Sequence, residues 1–179
     1  MNPTPRPSDG RAPQSPAGSP APVNVRPAAA ADLPALGRLG ALLVAVHHDF
    51  DAARFIPVGA GTEQGYAQFL GSRLDRPDSV VLVAEEDGQL LGYSYGALEG
   101  TDFMALRGPA GVLQDLVVDP AHRRRGVGQQ LLKASLAALA GLGAPLVVLS
   151  TAHRNEAAQQ LFARAGFRPT MIEMTRDLP

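Results

Sequence analysis

The chain has 179 residues, a length that allows one compact domain or one domain plus a tail, and its 45% apolar content supports a buried core of ordinary size. The 16 Lys and Arg residues against 17 Asp and Glu leave a net charge of −1, which reads against a protein that coats nucleic acid or an acidic membrane. With no cysteine there is no disulfide, no thiolate metal site and no Cys acyl-enzyme, so any chemistry comes from other groups.

Residues 1–22 interleave Pro3, Pro5, Pro7, Pro13, Pro16, Pro20 and Pro22 with Ser, Ala and Gly, which predicts a disordered tail ahead of a folded domain over 23–179. The N-terminus has no basic region followed by an apolar stretch, which reads against a secretory signal. The longest apolar run, Leu136 to Leu149, is broken by Gly141, Gly143 and Pro145 and is too short to span a bilayer. A cytoplasmic protein without membrane or nucleic-acid partners is expected.

Val23, Val25 and Arg26 read as a short strand, and Asp32 is placed to cap a helix carrying Leu33, Leu36, Leu39, Leu43 and Val46 at helical spacing. Residues 47–61 look irregular. Thr62 is then placed to cap a second helix burying Tyr66, Phe69, Leu70 and Leu74, ended by Pro77-Asp78. Val80 to Glu85 and Gln89 to Ala97 flank the tight-turn pair Asp87-Gly88, which predicts an antiparallel hairpin. After a glycine-rich connection, Val112 to Val118 reads as a strand, Gly126 to about Ala140 as a helix, Leu146 to Ser150 as a strand and Asn155 to Ala165 as a helix closed by Gly166. Thr170 to Arg176 reads as a last strand. The order β-α-α-β-β-β-α-β-α-β predicts a mixed α/β domain in which a hairpin precedes two strand-helix units.

The most informative stretch runs from Leu116-Val117-Val118-Asp119-Pro120 through Arg123-Arg124-Arg125-Gly126-Val127-Gly128-Gln129. It is a strand, a turn and a helix start. The unpaired N–H groups and positive dipole end of a helix's first turn make an anion site, glycines permit a bulky diphosphate to approach, and arginines add charge-assisted hydrogen bonds. The GxxxxGK[ST] pattern of a P-loop is missing, and Leu131 stands where GxGxxG needs glycine, so nucleotide hydrolysis and a dinucleotide fold lose ground.

Arg123, Gly126 and Gly128 match motif A of the GNAT superfamily of N-acetyltransferases, whose pattern is Arg or Gln, two residues, Gly, one residue, then Gly or Ala. Asn155, Ala158, Phe162 and Gly166-Phe167 resemble the motif that follows it in that family, and Val25-Arg26 with Asp32 looks like the family's first strand and helix. The likeness covers about residues 23–176 and is most specific over 112–168. It implies a mostly antiparallel central sheet with two splayed parallel strands and flanking helices, and transfer of an acetyl group from acetyl-CoA, as cosubstrate and without a metal, directly to a primary amine of a small molecule or a protein.

Residue by residue, the resemblance implicates Arg123, Arg124, Arg125, Gly126, Val127, Gly128 and Gln129 in pyrophosphate contact, and Val117 and Val118 on the strand that pairs with pantetheine. It assigns the Leu116 N–H to the thioester oxygen, and Asn155 and Phe162 to the cofactor arm. Two positions depart from the family. Many relatives carry Tyr where Phe162 stands, and a phenyl ring cannot protonate a departing thiolate. Some carry a Glu base where Gln114 stands, which leaves the neighbouring Asp115 as the best local base, its facing dependent on whether the strand bulges. Tyr93 and Tyr95 are candidate substrate contacts, and His47-His48-Asp49-Phe50-Asp51 sits where the family builds its acceptor pocket, reading as amine recognition or a polar loop rather than a metal site.

Two rivals stand beside this reading. Phe162 and Gln114 also suit a non-catalytic acyl-CoA-binding module. Gly92-Tyr93-Ser94-Tyr95-Gly96 matches the GxSxG string of serine hydrolases, with Ser94 as nucleophile, although no helical pattern follows it. Dimerisation is common in folds of the resembled type, and no feature of the sequence decides it.

Overall fold

The computed structural model describes residues 22–178. The reading of 1–22 as a disordered tail therefore lies, Pro22 apart, outside the described residues. In chain order the elements are β1 (Asn24–Pro27), α1 (Leu33–Phe50), α2 (Thr62–Gly71), β2 (Ser79–Glu86), β3 (Gln89–Glu99), β4 (Ala110–Val118), α3 (Val127–Gly141), β5 (Val147–Leu149) and α4 (Glu156–Arg164). The sheet order is β1-β2-β3-β4-β5, antiparallel throughout except for the parallel pair β4/β5. This is the expected mixed sheet.

Local chemistry explains most boundaries. Asp87 and Gly88 both take positive φ (50° and 76°), the pairing a two-residue hairpin turn needs, and β2 and β3 follow from it. Helix α4 starts at Asn155, whose side-chain oxygen accepts the Ala158 N–H at 3.2 Å, and ends at Gly166 with φ 91°. Side chains from the two faces of the sheet build separate clusters. Leu36 and Leu39 of α1 and Leu70 of α2 pack on Val83, Tyr93 and Val117. On the other face Val127 and Leu131 of α3 cover Leu82, Ala84 and Leu91, while Leu132 and Phe162 close over Leu113. Segment 30–50, long and apolar enough by composition to cross a membrane, turns its Leu36, Leu39, Ala41 and Val44 face into the first cluster and the α2 contact.

Four expectations need correction. Asp32 does not cap α1: its carboxylate accepts the Ala29 N–H at 2.8 Å and binds Arg26 at 2.7 and 3.0 Å, while Arg26 also holds Glu85, so it pins the β1 crossing instead. Helix α1 runs through His47 and His48 to Phe50 although its last buried residue is Val44: His47 Nδ1 meets the Leu43 carbonyl one turn back at 2.8 Å, and the Asp51 N–H closes the last turn on the His47 carbonyl at 3.1 Å. Thr62 lies inside α2 after Gly61, its hydroxyl accepting the Gly59 N–H, and Phe69 of that helix is exposed. No strand forms over 170–176. That segment leaves Met171, Ile172 and Met174 at least three-quarters exposed, and β5 is only three residues long, too short an edge to order a further ladder.

Candidate active site

The two parallel strands part where the chemistry is expected. Pairing between β4 and β5 stops at Leu113↔Leu149, and β4 continues to Val118 with no strand on that side. Which backbone groups face the resulting gap follows from the ladder ends. The Gly111 N–H donates to Leu146 on the β5 side, whereas the Asp119 N–H donates to Leu91 on the β3 side. Amide directions alternate along a strand, so two residues of the same parity can point to opposite sides only if the count slips between them. It slips at Gln114: Tyr95 pairs with Asp115 and Gly96 with Leu113, leaving Gln114 as a bulge.

Past the bulge, the N–H groups of Leu116 and Val118 therefore point into the gap. Side chains shift with them. Leu113 packs among Leu132 and Phe162, but Asp115 and Val117 face the opposite layer, under α1 and α2.

Gap and anion loop meet at the end of β4. The Arg123 Nε donates to the Val118 carbonyl at 3.1 Å, tying the loop to the strand. Arg124 at φ 61° and Gly126 at φ 82° reverse the chain into α3. Gly126 is the helix N-cap and offers no side chain, and among the described residues the N–H groups of Arg124 through Gln129 find no protein acceptor. A first turn left open in this way presents its donors and dipole to an external anion. The glycines play different parts: Gly126 satisfies the backbone, whereas a Cβ on Gly128 would make ordinary contact with Leu161 and Val118 at 3.5 and 3.6 Å. The Arg125 guanidinium is taken by Glu86 (2.7 and 2.8 Å), which fixes the loop against the β2–β3 hairpin and leaves its backbone N–H free.

Across the sheet from the loop lies a cavity of about 700 Å³ between α2, β3 and β4, with Asp115, Gln114 and Tyr95 on the strand side and Tyr66 and Phe69 on the helix side. Its volume suits a small molecule. Asp115 accepts a hydrogen bond from the Tyr93 hydroxyl at 2.9 Å. Burial pushes its carboxyl above the ordinary aspartate range, partly opposed by the Tyr93 bond and by His47. The same burial pushes the Tyr66 phenol up to about 12, with the Asp115 charge adding to it. Tyr93, fully buried beside Asp115, is pushed up further still, again first by burial. Both phenols stay protonated, leaving Asp115 as the proton acceptor of the group.

Other sequence candidates fall elsewhere. Residues 47–51 do not line this cavity: His48 Nδ1 meets the Phe55 carbonyl at 2.9 Å, and Asp51 accepts the Ala53 and Arg54 N–H groups at the end of α1. Ser94 is 1% exposed in mid-strand, its Oγ 2.7 Å from the Ser135 Oγ, so it stands on no strand-to-helix turn and no substrate reaches it. The hydrolase reading ends there. Phe162 is buried against Phe167, ring centres 5.8 Å apart. Glu99 and Arg73 also line the cavity, and no periodicity or motif marks them in the sequence.

Known proteins resemble this chain in sequence and in fold. The chain is 33% identical over 106 residues to the uncharacterised N-acetyltransferase YhfO of Bacillus subtilis (strain 168), a match spanning 58% of this chain and 68% of that one. It is 43% identical over 82 residues to a mycothiol acetyltransferase of Clavibacter michiganensis subsp. michiganensis (strain NCPPB 382), covering 40% of this chain and 27% of that enzyme's length. Its fold superposes with a TM-score of 0.69 on an aminoglycoside N-acetyltransferase solved in complex with CoA, at 17% identity and with 92% and 99% of the two chains covered. The family model described as the acetyltransferase (GNAT) family matches residues 43–167, well over half of the sequence, and this chain belongs to that family.

Proposed function

We propose that the protein transfers an acetyl group from acetyl-CoA directly to a primary amine. The observation that carries the reading is the bulge at Gln114, which turns two free backbone donors into the β4/β5 gap while setting a proton-accepting carboxylate on the adjoining cavity. The open first turn of α3, with Arg124 and the N–H groups of 125–129, would hold the pyrophosphate. Val118 N–H and the Asn155 side chain would hold the pantetheine arm, and Val117 anchors this stretch of β4 in the core.

Bound there, acetyl-CoA supplies an activated acyl group as a thioester. The Leu116 N–H, fixed in the ladder and pointing into the gap, stabilises negative charge developing on the carbonyl oxygen. The Asp115 carboxylate takes the proton that the amine nitrogen sheds as the C–N bond forms and the C–S bond breaks, leaving amide and CoA thiolate. Its raised proton affinity matches that task. Phe162 carries no hydroxyl, so the thiolate takes its proton from water.

Phe162 and the Gln114 amide favour the second reading, a non-catalytic acyl-CoA-binding module. One experiment separates the two: calorimetric titration with acetyl-CoA, followed in the same sample by thiol release against a panel of primary amines. Binding with release is the expected result. Binding without release on any amine selects the module, and absence of binding overturns both.

A further inference from the structure

The cavity is lined by two arginines and three carboxylates, but most of that charge is already spoken for. Arg76 pairs with Asp78 through two bonds of 2.9 and 2.7 Å. Glu99 accepts from Arg107 at 2.8 Å and from the Gln114 amide at 3.0 Å. Two charged groups remain. Asp115 has the Tyr93 hydroxyl and no cation within ion-pair distance among the described residues. Arg73 has no carboxylate within that distance either, and its guanidinium lies over the exposed Phe69 ring, 4.8 Å from the centroid.

The Arg73 Nε is buried and finds no hydrogen-bond acceptor in the protein. A buried donor left unmet is costly, and the Arg73 side chain, lining the cavity with no carboxylate on it, offers its terminal N–H groups to a planar anion in two-pronged fashion. Arg73 and Asp115 are not each other's partners, since Tyr95 intervenes: its ring packs edge-on against Phe69 at 5.5 Å, and its cross-strand neighbour is Asp115. The free cation therefore sits one aromatic ring beyond Tyr95, and the free carboxylate one strand pairing before it.

We infer that the acceptor is a small amine that also bears a carboxylate, held with its anionic end on Arg73 and its amine nitrogen toward Asp115. The inference rests on the transferase reading and names the substrate class of the same site. A polycationic amine is disfavoured, because its second cation would meet Arg73 with Asp78 and Glu99 already neutralised. A simple alkylamine leaves the Arg73 donors as unmet as they are without it.

The test is calorimetric titration of the full chain, with CoA present, with three probes of one length: ε-aminohexanoate, its neutral amide and the corresponding diamine. A charge-assisted pair at Arg73 predicts that the carboxylate binds roughly 10- to 100-fold tighter than the amide, and the diamine weaker than both. In Arg73→Gln the preference for carboxylate over amide collapses towards unity, and Arg73→Lys recovers part of it, a pattern that a loss of folding would not produce. Equal affinity for carboxylate and amide in the unaltered protein overturns the inference, as does a preference that survives Arg73→Gln. Acetyl-CoA binding and thiol release are read separately. A carboxylate preference without acetyl-CoA binding sinks the transferase reading alone, and turnover with no carboxylate preference sinks this inference alone.

Discussion

Replacing Asp115 by Asn separates the catalytic role proposed for this carboxyl from its structural one. The amide keeps an oxygen for the Tyr93 hydroxyl, which donates to Asp115 at 2.9 Å, but takes no proton at any working pH. Loss of a positioned general base costs on the order of 10²- to 10⁴-fold in turnover. Stability should move the other way. Burial raises the folded carboxyl's pKa, so the folded state binds this proton more tightly than the unfolded chain does. Below the unfolded value, about 3.9, both states are protonated and the group contributes nothing; as pH rises through the folded value, the fold loses stability.

Asp115→Asn removes that loss and should melt no lower than the parent at neutral pH. Asp115→Ala should instead cost about 1–3 kcal/mol, because it leaves the fully buried Tyr93 hydroxyl without an acceptor. Thermal melts from about pH 4, near the unfolded value, upward to about pH 9, together with thiol-release rates, check both halves. Full turnover in Asp115→Asn would refute the base assignment. A melt well below the parent would refute the account of how burial acts on this carboxyl.

At the α3 turn, Gly126→Ala should lose about 1–2 kcal/mol from its φ of 82° and weaken acetyl-CoA binding, whereas Gly128→Ala, whose Cβ meets only ordinary contacts, should leave the melt nearly unmoved and report on ligand approach alone. Unchanged acetyl-CoA affinity in both, by calorimetry, would remove the anion site from this loop. Gly40→Ala should destabilise by about 1–3 kcal/mol in chemical denaturation, since its Cβ would fall inside the Tyr66 side chain where α1 crosses α2, and should disturb the cavity wall that Tyr66 forms. Arg26→Ala leaves the buried Asp32 carboxylate without its guanidinium and should cost about 3 kcal/mol near neutral pH. Arg26 holds the Asp32 carboxyl below the ordinary range, so that contribution is present above the unfolded value of about 3.9 and is lost as pH falls through the folded one; the variant's acid limb should be correspondingly shallower.

What could be read in advance was whatever depends on a few neighbouring residues. Asp87-Gly88 announces a hairpin because its turn needs positive φ at both positions, and Asn155 announces α4 because its side chain caps that helix locally. The loop from Arg123 to Gln129 was legible for the same reason. The segment 170–176 has the composition of a strand but not the partner edge, and a strand is a property of a pair. Of the cavity only the strand side, Tyr95, Gln114 and Asp115, was marked in advance, through the family resemblance. Tyr66 of α2, Arg73 from the turn after it and Glu99 of β3 join Asp115 of β4 only through tertiary packing, and Arg73 is conspicuous only once its neighbours' partners are known.

The bulge at Gln114 joins these two levels. In a regular strand Leu113, Asp115 and Val117 would share one face, and Asp115 would be directed with Leu113 toward α3 and α4. The extra residue puts Asp115 with Val117 beneath α1 and α2, where the cavity opens, and by the same shift turns the Leu116 and Val118 amides from the β3 ladder to the gap. One inserted residue thus sets the direction of the proposed proton acceptor and of the proposed oxyanion donor together. Deleting Gln114 should leave both directions as they are if the shortened strand keeps the Leu113↔Gly96 and Asp115↔Tyr95 pairings, because residues 113 and 115, then adjacent, still alternate faces. Asp115 would still meet Tyr93 beneath α1 and α2, and the Leu116 and Val118 amides would still face the gap, so thiol release should persist; its loss in a deletion variant that still binds acetyl-CoA would refute this account of the bulge.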